Sequence, residues 1–345
     1  MKVAFAIDFL LERTPEVFLL ELLLAGFDDA DIYCIAHAPG KILGRIETHR
    51  IHSSPFVKST EALKERAWML PTAVKHIKIA DDVEKLIIIS SGWAHTIKSH
   101  PQTQRFTWLY DFAPKLLELK SWRKIFNFHH RDVKMKALID EKNVAFATKT
   151  LAAYLGFPEG KVIYPGFKTD DYPIVPDEQH TGEYPYHLIL LNGAPERQVR
   201  EVIVAAHEAN VDVKFMGADE VYADEKKQNL GEFIGDHCAS TTAGFTHSAR
   251  AVWVLGESMF PTVALGALCG GRPVVVPDLP QYREVLPADG AWYVNGNVKE
   301  IFKVANRDFL SPDKKALRRA GLKYNERLFK NQLRAWAGVK PVKEE

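Results

Sequence analysis

The sequence lacks the short signatures that announce most nucleotide and metal chemistry. It has no G-x-x-x-x-G-K-[ST] phosphate loop, no G-x-G-x-x-G fingerprint, no H-E-x-x-H helix and no G-x-S-x-G elbow. These absences argue against P-loop kinases, standard dehydrogenases, zincins and typical α/β-hydrolases. Cysteine is scarce. Cys34, Cys238 and Cys269 are odd in number, far apart and set in apolar runs, so they read as buried thiols of a reducing cytoplasm, without a disulfide or a cysteine metal site. Long apolar runs are missing too: residues 17–26 fall short of a bilayer span and carry Glu21. The N-terminal MKVAFAIDF has no apolar stretch followed by a cleavage site and reads directly as a strand. The expectation is a cytoplasmic protein whose membrane contact, if any, is peripheral. Net charge is also lacking. Lysine plus arginine (45) balances aspartate plus glutamate (44) to +1, which speaks against a nucleic-acid partner.

What is present is the composition of a globular enzyme. The 345 residues are 46% hydrophobic and 26% charged, long enough for two domains. Apolar runs at 3–7, 32–36, 86–89, 106–109 and 144–147 lack strict alternation, the mark of strands buried on both faces of a parallel sheet. Helical patterns at 16–25 and, more weakly, 59–78 lie between them. The second half repeats the rhythm, with strands expected at 187–191, 213–216, 233–234, 251–255 and 273–276 and helices at 196–209 and 263–268. Residues 164–186 hold four prolines and little periodicity. The expected organisation is therefore a domain over 1–165, a linker over 166–186 and a domain over 187–320, with a basic helix near 320–340 packing back on the first. Leu317, Leu322, Leu328 and Leu333 are the expected packing residues of this tail.

In an open parallel sheet, ligands bind outside the carboxyl ends of the strands, where helix N-termini offer N–H groups to anions. Turns at 192–197 (NGAPER), 256–263 (GESMFPTV) and 277–284 (PDLPQYRE) each follow a strand and open a helix. Arg197 in the first helical turn is a candidate cation for a diphosphate, or else a solvated helix arginine.

Residues 249–286, ARAVWVLGESMFPTVALGALCGGRPVVVPDLPQYREVL, resemble the nucleotide-sugar signature of family 4 retaining glycosyltransferases. The matches are Ala249-Arg250-Ala251, Phe260, Ala267, Gly271, Pro273-Val274-Val275 and Glu284-Val285, without gaps. Val162-Ile163-Tyr164-Pro165-Gly166 with Asp171-Tyr172 resembles the interdomain turn of that family, and residues 197–205 its following helix. Ala30-Asp31-Ile32-Tyr33 and residues 88–92 resemble segments of mannosyl- and rhamnosyltransferase-like members that build surface polysaccharides. The resemblance implies an α/β GT-B architecture, two Rossmann-like doubly wound domains facing a cleft, with a nucleotide diphosphate sugar as donor and a glycan or lipid-linked acceptor. It implies no metal or other cofactor.

The two glutamates of the family motif fall on Ser258 and Gly266, so both carboxylates are missing. The resemblance then leaves Glu257, one position early, as the catalytic candidate, together with Asp111. It places Gly193, Arg197, Ser258, Phe260, Pro261, Thr262 and Gly266 around the donor. On the acceptor side the glycine-rich turn reads Arg13-Thr14-Pro15-Glu16, which keeps Glu16, and a family histidine segment corresponds to residues 108–114, where Tyr110 takes its place beside Asp111. Packing of Tyr110 and helix capping by Asp111 are the plainer alternatives. The aspartate pairs at 28–29, 81–82 and 170–171 read as caps, and His129-His130 with Asp132 lacks the spacing of a metal site. Two functions follow from this pattern: an active hexosyltransferase, or a degenerate relative that binds glycan, nucleotide or protein without turnover. An epimerase on the same fold fits the matched segments less well.

Overall fold

Strands buried on both faces need helices on both sides, and this requirement organises both halves of the chain. The computed structural model describes all residues except 43, 57–58, 60–66, 113–123, 175–185, 192, 236–238, 303–312 and 341–345; at 67, 124–130 and 239–240 it describes the backbone alone. Cys238 and residues 60–66 of the weak helical pattern at 59–78 thus lie outside the described residues, and within the rest of that pattern Leu70–Lys75 is a helix. Contacts divide the chain into an N-terminal unit, Met1–Pro165 with Phe329–Glu345, and a C-terminal unit, Gly166–Leu328.

In the N-terminal unit β1 (Val3–Leu10), β2 (Asp31–His37), β3 (Ile51–Ser53), β4 (Lys85–Ser90), β5 (Gln104–Leu109), β6 (Val144–Phe146) and β7 (Lys161–Val162) form a parallel sheet in the order β3-β2-β1-β4-β5-β6-β7. The chain leaves β1 toward one edge and returns at β4 to build toward the other. Helix α1 (Pro15–Leu24) follows β1. Proline at its first position suits a helix start, Thr14 caps the Val17 N–H at 3.4 Å, and Val17, Leu19, Leu20, Leu23 and Leu24 are buried. Helix α2 (Lys124–Ile139) precedes β6.

The C-terminal unit repeats the plan with β8 (Tyr186–Leu190), β9 (Val213–Met216), β10 (Glu232–Gly235), β11 (Ala249–Val254), β12 (Val274–Pro277) and β13 (Ala291–Val294), all parallel in the order β10-β9-β8-β11-β12-β13. Here the winding reverses between β8 and β11. Helix α3 (Glu196–Glu208) buries Val199, Val202, Ile203 and Ala206, the stripe its three- and four-residue spacing dictates, in one core with Ile189, Phe215 and Trp253. Helices α4 (Thr262–Cys269), α5 (Pro280–Val285) and α6 (Lys314–Leu322) follow. Gly321 lets α6 press on α4: a β-carbon there would lie 2.4 Å from Cys269 Sγ. Residues 166–174, expected within the linker, pack in this unit, with Phe167 bridged to Asn325 and Tyr172 buried.

Helix α7 (Glu326–Ala337) carries the chain's end into the N-terminal unit. The Phe329 ring lies 5.0 Å from Trp108, Trp336 lies 5.5 Å from Phe106, and Arg334 donates to Leu23 O at 3.1 Å and to Ala25 O. Leu317 and Leu333 are buried, whereas Leu322 is half-buried and Leu328 is exposed. Cys34 and Cys269 are buried free thiols, and burial pushes Cys269 up to about 11. No helix among the described residues is long and apolar enough to cross a membrane.

Candidate active site

The place where a doubly wound sheet reverses its winding leaves a crevice outside the carboxyl ends of two neighbouring strands. Each unit has one such point, and the polar side chains gather there.

In the C-terminal unit it lies beyond β8 and β11. Gly193 follows β8 with φ +72°, and a β-carbon on it would stand 4.0 Å from the Cα of Gly256 after β11. The two turns adjoin through their backbones, and the left-handed φ of Gly193 is one that glycine adopts without strain. Helices α3 and α4 start from these turns with Pro195 and Pro261 as N-caps, and neither has a side-chain cap. The Gln198 N–H donates to Pro195 O and the Thr262 N–H to Phe260 O, each at 2.9 Å, which leaves the amides of Glu196, Arg197, Val263 and Ala264 and the positive dipole ends to water or a ligand.

Tyr282 in α5 organises the second turn. Its buried hydroxyl donates to Gly256 O at 2.7 Å and accepts the Ser258 N–H at 3.0 Å, while Ser258 Oγ donates to Phe260 O at 3.0 Å. Glu257 and Ser258 remain exposed, Thr262 is half-buried and Pro261 buried. Phe260 lies in the interior, its ring 5.4 Å from Tyr324. Gly266 is covered as well: a β-carbon on it would fall 2.5 Å from Tyr172 Cζ. The tyrosine ring therefore stands over the helix position onto which the resemblance would map a second carboxylate. Arg197 points into solvent, 92% exposed, and pairs with Glu201 at 3.1 Å. Such an i,i+4 pair contributes little and yields readily to a stronger anion.

In the N-terminal unit the reversal lies beyond β1 and β4, and its centre is Asp8, a carboxylate 2% exposed within an apolar strand. It accepts the backbone N–H of Ser91 at 2.5 Å, of Trp93 at 2.6 Å and of Ala94 at 2.9 Å. Burial pushes its carboxyl up to about 6, against the lowering effect of those three bonds and of Lys134. Ser91 Oγ donates to Glu16 Oε1 at 2.6 Å, joining the turn after β4 to the first turn of α1. Lys134 in α2 donates to Phe112 O at 2.6 Å with its ammonium 4.4 Å from the Phe112 ring, and burial pulls it down to about 8. His95, bonded to Ser90 Oγ at 2.9 Å, is pulled down to about 4 by burial and is neutral at pH 7. Tyr110 is buried with its ring 5.8 Å from Trp108, and Asp111 takes the Phe112 N–H at 2.6 Å.

The structure thus joins Glu16 to Ser91 and sets Gly193 beside the turn that carries Glu257 and Ser258. It buries Phe260, Gly266 and Tyr110. Sequence reasoning passed over Asp8 and Lys134, and it met Ser91, Tyr172 and Tyr282 only inside resembling segments or turns, without a role for any of them. Asp8 carried a visible signal, an acidic residue inside the apolar run VAFAIDFL. Among the described residues, no group of three or more His, Cys, Asp or Glu side chains is arranged to hold a metal ion.

The sequence matches no protein-family model and no curated protein. Solved structures resemble it over the whole chain. Sucrose-phosphate synthase from Thermosynechococcus elongatus superposes with a TM-score of 0.68 at 15% identity, covering 96% of this chain and 97% of that one. Anabaena HepE in complex with UDP gives 0.67 at 14% identity, over 97% and 99%. The lipopolysaccharide outer core galactosyltransferase WaaB gives 0.62 at 12% identity, over 97% and 99%. The architecture is accordingly the α/β GT-B fold of these proteins, two domains each built on a parallel sheet with flanking helices.

Proposed function

We propose that this protein is a glycosyltransferase that moves a hexose from a nucleotide diphosphate sugar to a hydroxyl of a glycan or lipid-linked acceptor, with retention at the anomeric carbon. The observation that carries the reading is the pair of helix N-termini without side-chain caps, α3 and α4, rising from the adjoining glycine turns at Gly193 and Gly256. Two such ends side by side suit a diphosphate, whose charge grows as it leaves. Likeness in fold to HepE, solved in complex with UDP, supports a nucleotide as the ligand.

In this reading Gly193, Arg197, Ser258, Pro261 and Thr262 surround the diphosphate, and Phe260 and Gly266 shape the floor behind it. Glu257 bonds the hydroxyls of the transferred sugar. Glu16 and Tyr110 belong to the acceptor side, with Asp111 at its edge. The acceptor oxygen forms the new bond to the anomeric carbon as the bond from that carbon to the diphosphate oxygen breaks. The diphosphate takes the electron pair, and the hydroxyl proton passes to its departing oxygen. No bound metal or other cofactor enters this scheme. The chemistry needs positioning and charge stabilisation.

A second reading, binding without turnover, is favoured by the Tyr172 ring over Gly266. The two separate in one experiment. Thermal melts with UDP, GDP and dTDP should show one nucleotide raising Tm, by about 2.7 kcal/mol of added stability at a hundredfold excess over Kd. Arg197→Ala should weaken that binding about tenfold, the worth of one charge-assisted hydrogen bond. Slow hydrolysis of the matching nucleotide sugar, abolished by Glu257→Gln, supports the enzyme; a shift without hydrolysis supports the binder. No shift with any nucleotide contradicts the enzyme and leaves the binder only a glycan or protein as its ligand.

A further inference from the structure

Phosphate groups in α/β proteins are received by two backbone devices at a winding reversal, the amides of a strand-to-helix turn and the first turn of the helix that follows. In the N-terminal unit both are largely occupied from within. After β4, four consecutive amides have internal acceptors: Ser91, Trp93 and Ala94 donate to Asp8, and Gly92 donates to Ser90 Oγ at 3.2 Å. After β1, Pro15 has no N–H and the Val17 N–H goes to Thr14 Oγ1. What faces a ligand between these turns is another carboxylate, Glu16, with one oxygen bonded to Ser91 Oγ at 2.6 Å and a second oxygen left for a ligand hydroxyl.

The nearby cations among the described residues are committed elsewhere. Lys134 is buried against the Phe112 carbonyl and ring, with Asp8 and Asp111 as its opposite charges. Arg13 donates to Ile42 O at 2.9 Å and pairs with Glu21. A phosphate brought here meets Glu16 and Asp8 with the amides of Ser91, Gly92, Trp93, Ala94 and Val17 already engaged and, among the described residues, no uncommitted cation to offset the repulsion. A sugar hydroxyl meets a carboxylate that accepts its proton in a hydrogen bond.

We propose that the N-terminal unit selects a neutral hydroxyl acceptor, a sugar residue or similar polyol that itself bears no phosphate, and that Glu16 and the Ser91 hydroxyl are the groups that hold it. The inference rests on the glycosyl-transfer reading and narrows its acceptor. Asp8 acts through the turn, as a positioning residue that fills the amide cradle and aims the Ser91 hydroxyl.

The test uses the full chain and the nucleotide sugar whose nucleotide raises Tm. Acceptors are offered in pairs, the methyl glycosides of glucose, mannose and galactose against the corresponding hexose 6-phosphates. The expected result is transfer to a neutral member at least tenfold above its phosphorylated partner in kcat/KM. Glu16→Ala should raise KM for that neutral acceptor about tenfold while the nucleotide shift stays as in the wild type. Preference for any phosphorylated partner, or no transfer to any neutral sugar while the nucleotide shift persists, overturns the proposal. Loss of the nucleotide shift itself overturns the donor reading and this inference with it, so the two failures are told apart by the melts.

Discussion

Asp8→Asn is expected to lower acceptor turnover about a hundredfold and to erase an acid limb that the wild type shows near pH 6. Asp8 Oδ2 serves Ser91 and Oδ1 serves Trp93 and Ala94. An asparagine keeps one oxygen and turns an N–H donor toward another donor, which leaves a buried amide without its acceptor at a cost of about 1–3 kcal/mol. The displaced Ser91 then no longer meets Glu16. A proton does to the wild type what the substitution does to the variant, because a protonated carboxyl also presents a donor to one of the three amides. Since burial moves Asp8 from 3.8 to about 6, turnover should fall as pH drops through about 6.

Stability runs the opposite way. A carboxyl whose folded value lies above its unfolded one contributes stability that is fully present below about 4 and lost as pH rises through about 6. At neutral pH the buried charge costs about 3 kcal/mol. Lys134 is the mirror case: pulled from 10.5 to about 8, its contribution is present above about 10.5 and lost as pH falls through 8. His95 is neutral throughout and cannot supply the limb. A pH profile of kcat/KM from 5 to 8, with melts across the same range, should show the wild type losing turnover in acid without losing Tm from this group. An acid limb that persists unchanged in Asp8→Asn contradicts the assignment.

Gly266→Ala is the second large effect, and its sign depends on a residue nearly a hundred positions away. In an isolated helix the change stabilises by about 1 kcal/mol. Here the new β-carbon would lie 2.5 Å, 2.7 Å and 2.8 Å from Tyr172 Cζ, Cε1 and Cε2. The tyrosine is held in place: its ring packs edge-on at 6.0 Å to Phe167, and Arg318 ties its carbonyl to that of Cys269 with bonds of 2.8 Å and 3.1 Å. Overpacking of this kind costs about 1–3 kcal/mol. In a Tyr172→Ala background the collision vanishes, and the same substitution should stabilise. Urea unfolding of the four proteins of this cycle should give a coupling of about 2–4 kcal/mol. A neutral or stabilising Gly266→Ala in the wild-type background would contradict the packing described. Gly266→Glu alone should likewise fail to restore a carboxylate, since the ring occupies its path.

Much of the architecture was legible in the sequence. The unalternating runs of β1, β4, β8, β11 and β12 required sheets covered on both faces, and the stripe of α3 ran where its spacing placed it. The strands β3, β7 and β13 were not legible. They have two to four residues at or near sheet edges, too short for any period to register. The candidate site was legible at its glycine and proline punctuation, Gly193, Pro195 and Pro261, because a left-handed turn and a helix start leave that mark. Glu16 was found through its turn. Its partner Ser91 was hidden, since a hydrogen bond across 75 positions depends on the neighbouring of β1 and β4, which no local pattern encodes. Tyr172 was hidden for the same reason. It sits in a stretch that proline content marks as a connection, and its role comes from a helix that the chain forms much later.

The central claim is that helix ends at the β8 and β11 reversal receive the phosphates of a nucleotide. Hydrogen–deuterium exchange of the full chain, with and without the nucleotide that raises Tm, reads those amides directly. The account predicts slowed exchange in the segments 193–198 and 256–264 and no change around Asp8 and Ser91. Protection confined to other parts of the chain, with both segments exchanging as in the free protein, would contradict it.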